Sequence, residues 1–489
     1  MTYKYDESNP LSIKDYADKL IGKTFYEVLE SARINVDEKL GIITKANNPR
    51  YKGSMGHLIE EYYFEYKINS DQEPDFPKAG VELKVTPYEV GKKGGYKAGE
   101  RLVITMINYN QPVEDNFYSS HVYKKFRYTL LIHYLRNRSL NRLDYPINYV
   151  TLFSPPKEDL EIIKQDYEKI ISKIKEGKAH ELSEGDTMYL GACTKGANSI
   201  KGNVIQEYYA PSIEARTRAF CFKQSYMTYI LNKYSREKIE TYEPIIQNIK
   251  ELEDKRFEDI IVDKINLYRG YSDGDLSEIF DVKKGILNFW SAISYRILGV
   301  KSNRAEEFLK ADIEVKAIRI EENGRMRESI SFPTVSFKEF IEEEWEESQL
   351  YNQLSSKKYL FVLFKKEGLT YTLKGCQLWN MSNKDLEEAS LGWLRTKEIV
   401  KRGVILKKKY RKDGINFEVT NNFPSKKENR VIHIRPHSSK RYYNLNDGEI
   451  IGENRNHGDE LPDGRIMTKQ CFWLNNSYIL TQIDNKILD

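Results

Sequence analysis

From residue 53 to residue 67, Met55, Leu58, Ile59, Tyr62, Tyr63 and Tyr66 recur at intervals of three and four, the spacing that gives a helix one buried face. Glu60 and Glu61 fall near the middle of that helix. The period then changes. Val81, Leu83 and Val85 alternate with Glu82, Lys84 and Thr86, so a strand is predicted in which Glu82 and Lys84 share one face. Ser12 reads as the N-cap of an earlier helix carrying Tyr16, Leu20 and Ile21, which Gly22 closes. Further strands are predicted over 102–108, 128–134, 149–153 and 187–193, and a charged helix over 157–175. The order is that of a mixed α/β fold, a central mixed sheet flanked by helices.

The succession returns without gaps at an offset of 232 residues. Lys284-Gly285 repeats Lys52-Gly53, Glu307 falls at the place of Asp75, and Glu314 and Lys316 fall at the places of Glu82 and Lys84, while Ala292 replaces Glu60. The second half also predicts a helix over 287–298, an acidic helix over 337–350 and a strand over 359–364. These features indicate a tandem duplication: one domain over 1–234, a charged helical connector over 235–257 that contains no glycine, and a second domain over 258–489.

Composition narrows the chemistry. The 489 residues exceed what one core accommodates, and no apolar run is long enough to span a bilayer, so a soluble cytoplasmic protein without membrane association is expected. Cys193, Cys221, Cys376 and Cys471 are scattered and form no CxxC pair, and the seven histidines show no HExxH spacing. Carboxylates remain as metal ligands, which favours a hard ion such as magnesium. The net charge is only +4, so a nucleic-acid surface must come from local clusters. Those are Lys92, Lys93, Lys97 and Arg101; Lys124, Lys125 and Arg127; Arg136, Arg138 and Arg142; and a run from Lys401 to Lys412.

Phosphodiester hydrolysis needs charge neutralised on the phosphate, a deprotonated water and a stabilised leaving oxygen. Asp75, in a turn before the strand, and Glu82 and Lys84, on the strand, can converge on one ion, with Glu60 completing the carboxylate set and Lys125 as a phosphate clamp. By itself the D-x(6)-E-x-K pattern also describes a solvated strand of ion pairs. Its setting carries more. Lys52-Gly53-Ser54-Met55-Gly56-His57-Leu58-Ile59-Glu60, then Asp75-Phe76 and Gly80-Val81-Glu82-Leu83-Lys84, then Ser120-His121-Val122 and Lys125, stand in order. They closely resemble the MutH family, which joins a mismatch-repair nicking endonuclease to type II restriction enzymes of the Sau type.

The resemblance implies a PD-(D/E)xK nuclease fold, magnesium dependence and cleavage on the 5′ side of the G in GATC, leaving a 5′-phosphate. By position it makes Asp75 and Glu82 metal ligands, Glu60 an auxiliary carboxylate, Lys84 the catalytic lysine and Lys125 a phosphate-contacting base. It also places a DNA-reading loop at 189–199, with Lys195 and Asn198, and another at 431–440, with Arg435, His437 and Lys440. Tyr226 and Tyr229 read more simply as packing. With Ala292, Glu307 and, in a looser alignment, Gln353 at the places of Glu60, Asp75 and Lys125, the second copy reads as a DNA-binding domain that does not cut and whose occupancy stimulates the first. The expectation is a type II restriction endonuclease acting on double-stranded GATC-containing DNA, engaging two sites and self-associating transiently on DNA. The alternatives are a MutH-type repair nickase and a non-cutting GATC-binding regulator.

Overall fold

A computed structural model of the chain describes residues 4–47, 53–66, 73–91, 94–195, 203–236, 242–327, 329–437 and 439–488. It divides into two compact units. The first comprises Met1–Phe257 together with Asn303–Asp312, and the second comprises Glu258–Ser302 together with Ile313–Asp489.

In the first unit, β1 (Glu82–Val90), β2 (Tyr96–Ala98), β4 (Thr129–Leu135) and β5 (Ile147–Phe153) form a sheet in the order β2-β1-β4-β5. β1 and β4 run parallel, with Glu82 opposite Thr129 and Lys84 opposite Leu131, whereas β5 is antiparallel to β4. β4 is apolar along most of its length because it is central, and its Leu130 and Ile132 join Leu83, Val81 and Leu58 in one core. A second sheet, antiparallel, contains β3 (Leu102–Met106), β6 (Leu190–Thr194) and β9 (Arg218–Phe222) in the order β3-β9-β6. β7 (Asn203–Gln206) and β8 (Ala210–Arg216) form a separate ribbon.

The second unit has the same connectivity in its main sheets. β10 (Ile313–Ile320) lies parallel to β12 (Lys358–Glu367), and β13 (Thr370–Trp379) is antiparallel to β12. β11 (Ile330–Thr334), β16 (Ile432–Pro436) and β21 (Gln470–Leu474) form the second sheet in the order β11-β21-β16. Four short ribbon strands, β17 (Tyr443–Asn444), β18 (Ile450–Ile451), β19 (Gly458–Glu460) and β20 (Ile466–Thr468), precede β21, and β14 (Lys407–Tyr410) pairs with β15 (Phe417–Thr420) ahead of β16.

Several elements depart from the pattern-based expectation for identifiable reasons. The helix expected over 53–67 is an α-helix only over Ser54–Leu58 and a π-helix over Ile59–Tyr63, and it ends where Glu65 turns left-handed. A wider turn is a local insertion that periodicity does not reveal. Asn9, not Ser12, caps the first helix, its side chain accepting from the N–H groups of Leu11 and Ser12. The strand expected from 187 begins at Leu190, because the buried Asp166 carboxylate accepts from the N–H groups of Met188, Tyr189 and Leu190.

The 235–257 stretch, expected as a helical connector, is helical only over Lys250–Asp254 among its described residues. Pro244 interrupts it, and Ile245 and Ile246 are buried in the first unit. The acidic helix expected over 337–350 is likewise broken into Phe337–Phe340, a 3-10 turn at Trp345–Glu347 and a new helix, Gln349–Ser356.

Candidate active site

Asp75 is fixed by the turn that leads into β1. Phe76 and Val81 exchange backbone hydrogen bonds across it, and Gly80 takes a φ of +66°, a conformation a side chain would strain. The Asp75 carboxylate then accepts from the Leu83 N–H at 2.8 Å, which holds it beside the first residues of the strand. The period-two alternation buries Leu83 in the core and turns Glu82 and Lys84 to the other face.

Glu82 is 2% exposed. Its Oε1 is 2.5 Å from the Lys84 ammonium and 3.6 Å from that of Lys125, while its Oε2 is buried with no hydrogen-bond partner. Lys125 reaches this point from the helix His121–Phe126, whose Ser120 N-cap accepts from the Tyr123 N–H at 3.1 Å. His121 is engaged by Glu114, which accepts from its backbone N–H and lies 2.6 Å from its Nδ1, so it anchors that helix.

The electrostatics are those of crowded carboxylates. Burial, then the neighbouring Glu82, pushes the Asp75 carboxyl up to about 6 against the pull of Lys84. Burial also raises Glu60, which projects from the π-helix toward Lys84 and Glu82. Lys84 is held charged, since Glu82 and Asp75 outweigh its own desolvation. The five residues Glu60, Asp75, Glu82, Lys84 and Lys125 are thus gathered around the start of β1, although among the described residues no three acidic, histidine or cysteine side chains already surround one point.

At the repeat of this motif the groups are arranged differently. Both oxygens of Glu314 are taken, Oε1 by Lys316 at 2.5 Å and Oε2 by Lys357 at 2.9 Å. Burial opposes ionisation there, but the two lysines hold the carboxyl below its usual range. Ser348 caps the helix Gln349–Ser356 as Ser120 caps its helix, yet the ammonium near the glutamate comes from Lys357 just beyond that helix, not from position 353. Glu307 is buried in the first unit, where its carboxylate accepts from the N–H groups of Ile245 and Ile246. The Val315 N–H, placed as Leu83 is, faces the hydroxyl of Tyr295.

The expected reading residues are dispersed. Lys195 directly follows β6, with its N–H donating to the Thr217 carbonyl, and Asn198 lies outside the described residues, as do Lys92 and Lys93. Arg435 is exposed and stacks 4.0 Å above the Trp473 ring, and His437 places Nδ1 3.4 Å from Cys471 Sγ. Lys440 is also exposed. Arg101 pairs with Glu184 and Arg136 with Glu89, so these two cations serve local structure. Tyr226 and Tyr229 are buried, bonding Asp159 and Glu306, as packing residues should. Arg127, indistinct in sequence among its basic neighbours, lays its guanidinium against Gly80 in the Asp75 turn.

Comparison with known proteins points to one family. The family model described as DNA mismatch repair enzyme MutH matches residues 64–166 and again 298–389. The type II restriction enzyme Sau3AI of Staphylococcus aureus is 36% identical over 463 residues, 89% of this chain and 93% of that protein. The DNA mismatch repair protein MutH of Vibrio campbellii is 25% identical over 236 residues, which is 47% of this chain and 96% of that protein. MutH of Shewanella woodyi is 33% identical over 159 residues, 32% of this chain and 67% of that protein.

Proposed function

We propose, from the premise that the chain belongs to the MutH family, that it is a type II restriction endonuclease making double-strand breaks at GATC, 5′ of the G and leaving a 5′-phosphate. Similarity to Sau3AI along almost the whole chain supports this over a repair nickase, since MutH of Vibrio campbellii corresponds to about half of it. On this reading each unit is a version of one PD-(D/E)xK core, a tandem duplication, which the shared parallel pairing β1–β4 and β10–β12 supports.

The observation that carries the reading is the partnerless, buried Oε2 of Glu82 beside a carboxyl raised to about 6 at Asp75. A buried acceptor without a donor and a carboxylate destabilised by its neighbours are both relieved by a cation. Oxygen donors of this kind suit magnesium. Asp75 and Glu82 would hold the ion with Glu60 as the auxiliary carboxylate, and when bound it would neutralise phosphate charge and acidify a water.

The residues of the chain do the rest. Lys84 favours the hydroxide form of the attacking water and meets charge on the phosphate as the P–O3′ bond breaks, and Lys125, with Arg127, binds phosphate. The water's oxygen joins phosphorus, and the departing 3′ oxygen takes up a proton. The second unit, its glutamate fully engaged by lysines, binds GATC-containing DNA through the Arg435, His437 and Lys440 face, does not cut, and stimulates the first unit when occupied. A palindrome has two scissile phosphates and one chain has one such centre, so two chains associate transiently on DNA.

The test is digestion of supercoiled GATC plasmid with magnesium, with ends mapped on methylated and unmethylated DNA. Linear product cut before G is expected. Persistent open-circular product would establish the nickase, and no product at all a non-cutting regulator.

A further inference from the structure

We propose that the β14–β15 ribbon is an arm of the second unit that grips duplex DNA by its phosphates, irrespective of sequence. The proposal rests on the reading that this unit binds DNA. In each unit a long helix, Lys157–Lys175 or Asn383–Arg402, leads to a strand of the second sheet, β6 or β16. The connection is 176–189 in the first unit and 403–431, about twice as long, in the second. The added length is the ribbon.

The register of the ribbon sorts its side chains. Lys408 faces Val419 and Tyr410 faces Phe417, and Phe417 and Val419 pack against the core of the unit. The opposite face therefore looks outward, and it carries Lys407 and Lys409, with Arg411 continuing the alternation and Lys412 at the turn. All four are exposed. Glu418 is the acidic residue opposite them, 3.8 Å from Lys409 in a pair too exposed to neutralise much. Lys407, Arg411 and Lys412 make no ion pair among the described residues.

The arm is also preformed. At its tip Asp413 accepts from the N–H groups of Ile415 and Asn416 and from the Asn416 side chain, Arg411 N–H donates to Asn416, and Gly414 takes a φ of +68°. At its root Lys408 pairs with Glu449, and both Lys408 and Arg441 lie over the Phe417 ring. Arg441 follows Lys440, so the arm adjoins the reading face in the same unit. Lysines on an exposed strand also guard against edge pairing, the competing role. A row of four cations, stiffened at both ends, fits a polyanion lying along it, because each phosphate neutralised releases counterions.

The experiment uses the full chain without divalent metal, so that binding is read without cutting, on duplexes with and without GATC. Lys407, Lys409, Arg411 and Lys412 are replaced together by Ala, and in a second variant the three lysines are replaced by Arg. The Ala variant should lower affinity equally on both duplexes and flatten the plot of log K against log salt by about 3.6, at roughly 0.9 for each of the four phosphates no longer neutralised. The Arg variant should retain the parental slope. An unchanged slope in the Ala variant overturns the arm, as does self-association of that variant with its DNA binding intact, which would mark the lysines as edge protection. Arg435→Ala is run alongside: if it leaves GATC preference and affinity untouched while the arm variant flattens the slope, the reading face is wrong and the arm stands.

Discussion

Glu82 and Glu314 occupy corresponding positions at the starts of two parallel-paired strands, each with a lysine two residues on, yet their surroundings are opposite. One oxygen of Glu82 is buried without a partner and the neighbouring Asp75 is driven up to about 6, whereas both oxygens of Glu314 are paired and its carboxyl is held down. A cation would relieve the unpartnered oxygen and raised carboxyl at the first position, whereas at the second both glutamate oxygens already have lysine partners. The Asp-Glu-Lys spacing alone does not distinguish the two. The lysine supplied from position 357 and the diversion of Glu307 to the Ile245 and Ile246 amides do.

The largest test of this contrast is Asp75→Ala, Glu82→Ala or Lys84→Ala, each expected to lower single-turnover cleavage by at least about a thousandfold. DNA binding measured without metal should survive in each. Glu314→Ala with Lys316→Ala in the full chain should change cleavage of one-site DNA by less than about tenfold, since no essential reacting group is removed. A loss as deep as that from Glu82→Ala would end the division into a cutting and a binding unit.

A third test uses pH. On the proposed ligation, metal displaces the Asp75 proton, so at subsaturating magnesium the rate should fall by about tenfold per pH unit below about 6. A profile flat to pH 5 would remove Asp75 as a ligand.

The smallest expected effect is on stability. Because the folded protein raises the Asp75 pKa, the folded state binds the extra proton, and stability without metal decreases as pH rises from about 4 to about 6. Asp75→Asn should therefore stabilise the metal-free protein at pH 8, by on the order of 1 kcal/mol. Glu314→Gln should do the reverse, by less than about 1 kcal/mol because solvent screens that partly exposed cluster. Urea titrations of both variants decide whether the two signs differ.

Much of the first site was legible because it is local. The alternation around Leu83 places Glu82 and Lys84 on one face, and the turn residues around Asp75 and Gly80 announce a fixed bend. What escaped depends on residues far apart in sequence. The π-turn carrying Glu60, the use of Glu307 as a cap for residues 245 and 246, and the meeting of Tyr295 with the Val315 amide leave no periodic trace. The gapless repeat itself misled at position 307, where alignment matched a side chain that folding sends elsewhere. The run of lysines near 407 was visible, but only strand register sorts which of them face outward. No helix among the described residues is long and apolar enough to cross a membrane.

Residues 303–312 belong with the first unit although they follow a stretch of the second. Lys310 is buried there, 2.6 Å from the equally buried Asp159, which also receives the Tyr226 hydroxyl. Without Lys310, Asp159 would be a carboxylate in the interior with no cation. During synthesis, then, the first unit cannot finish folding when residue 257 leaves the ribosome. It waits for residue 312, by which time the start of its companion has already emerged.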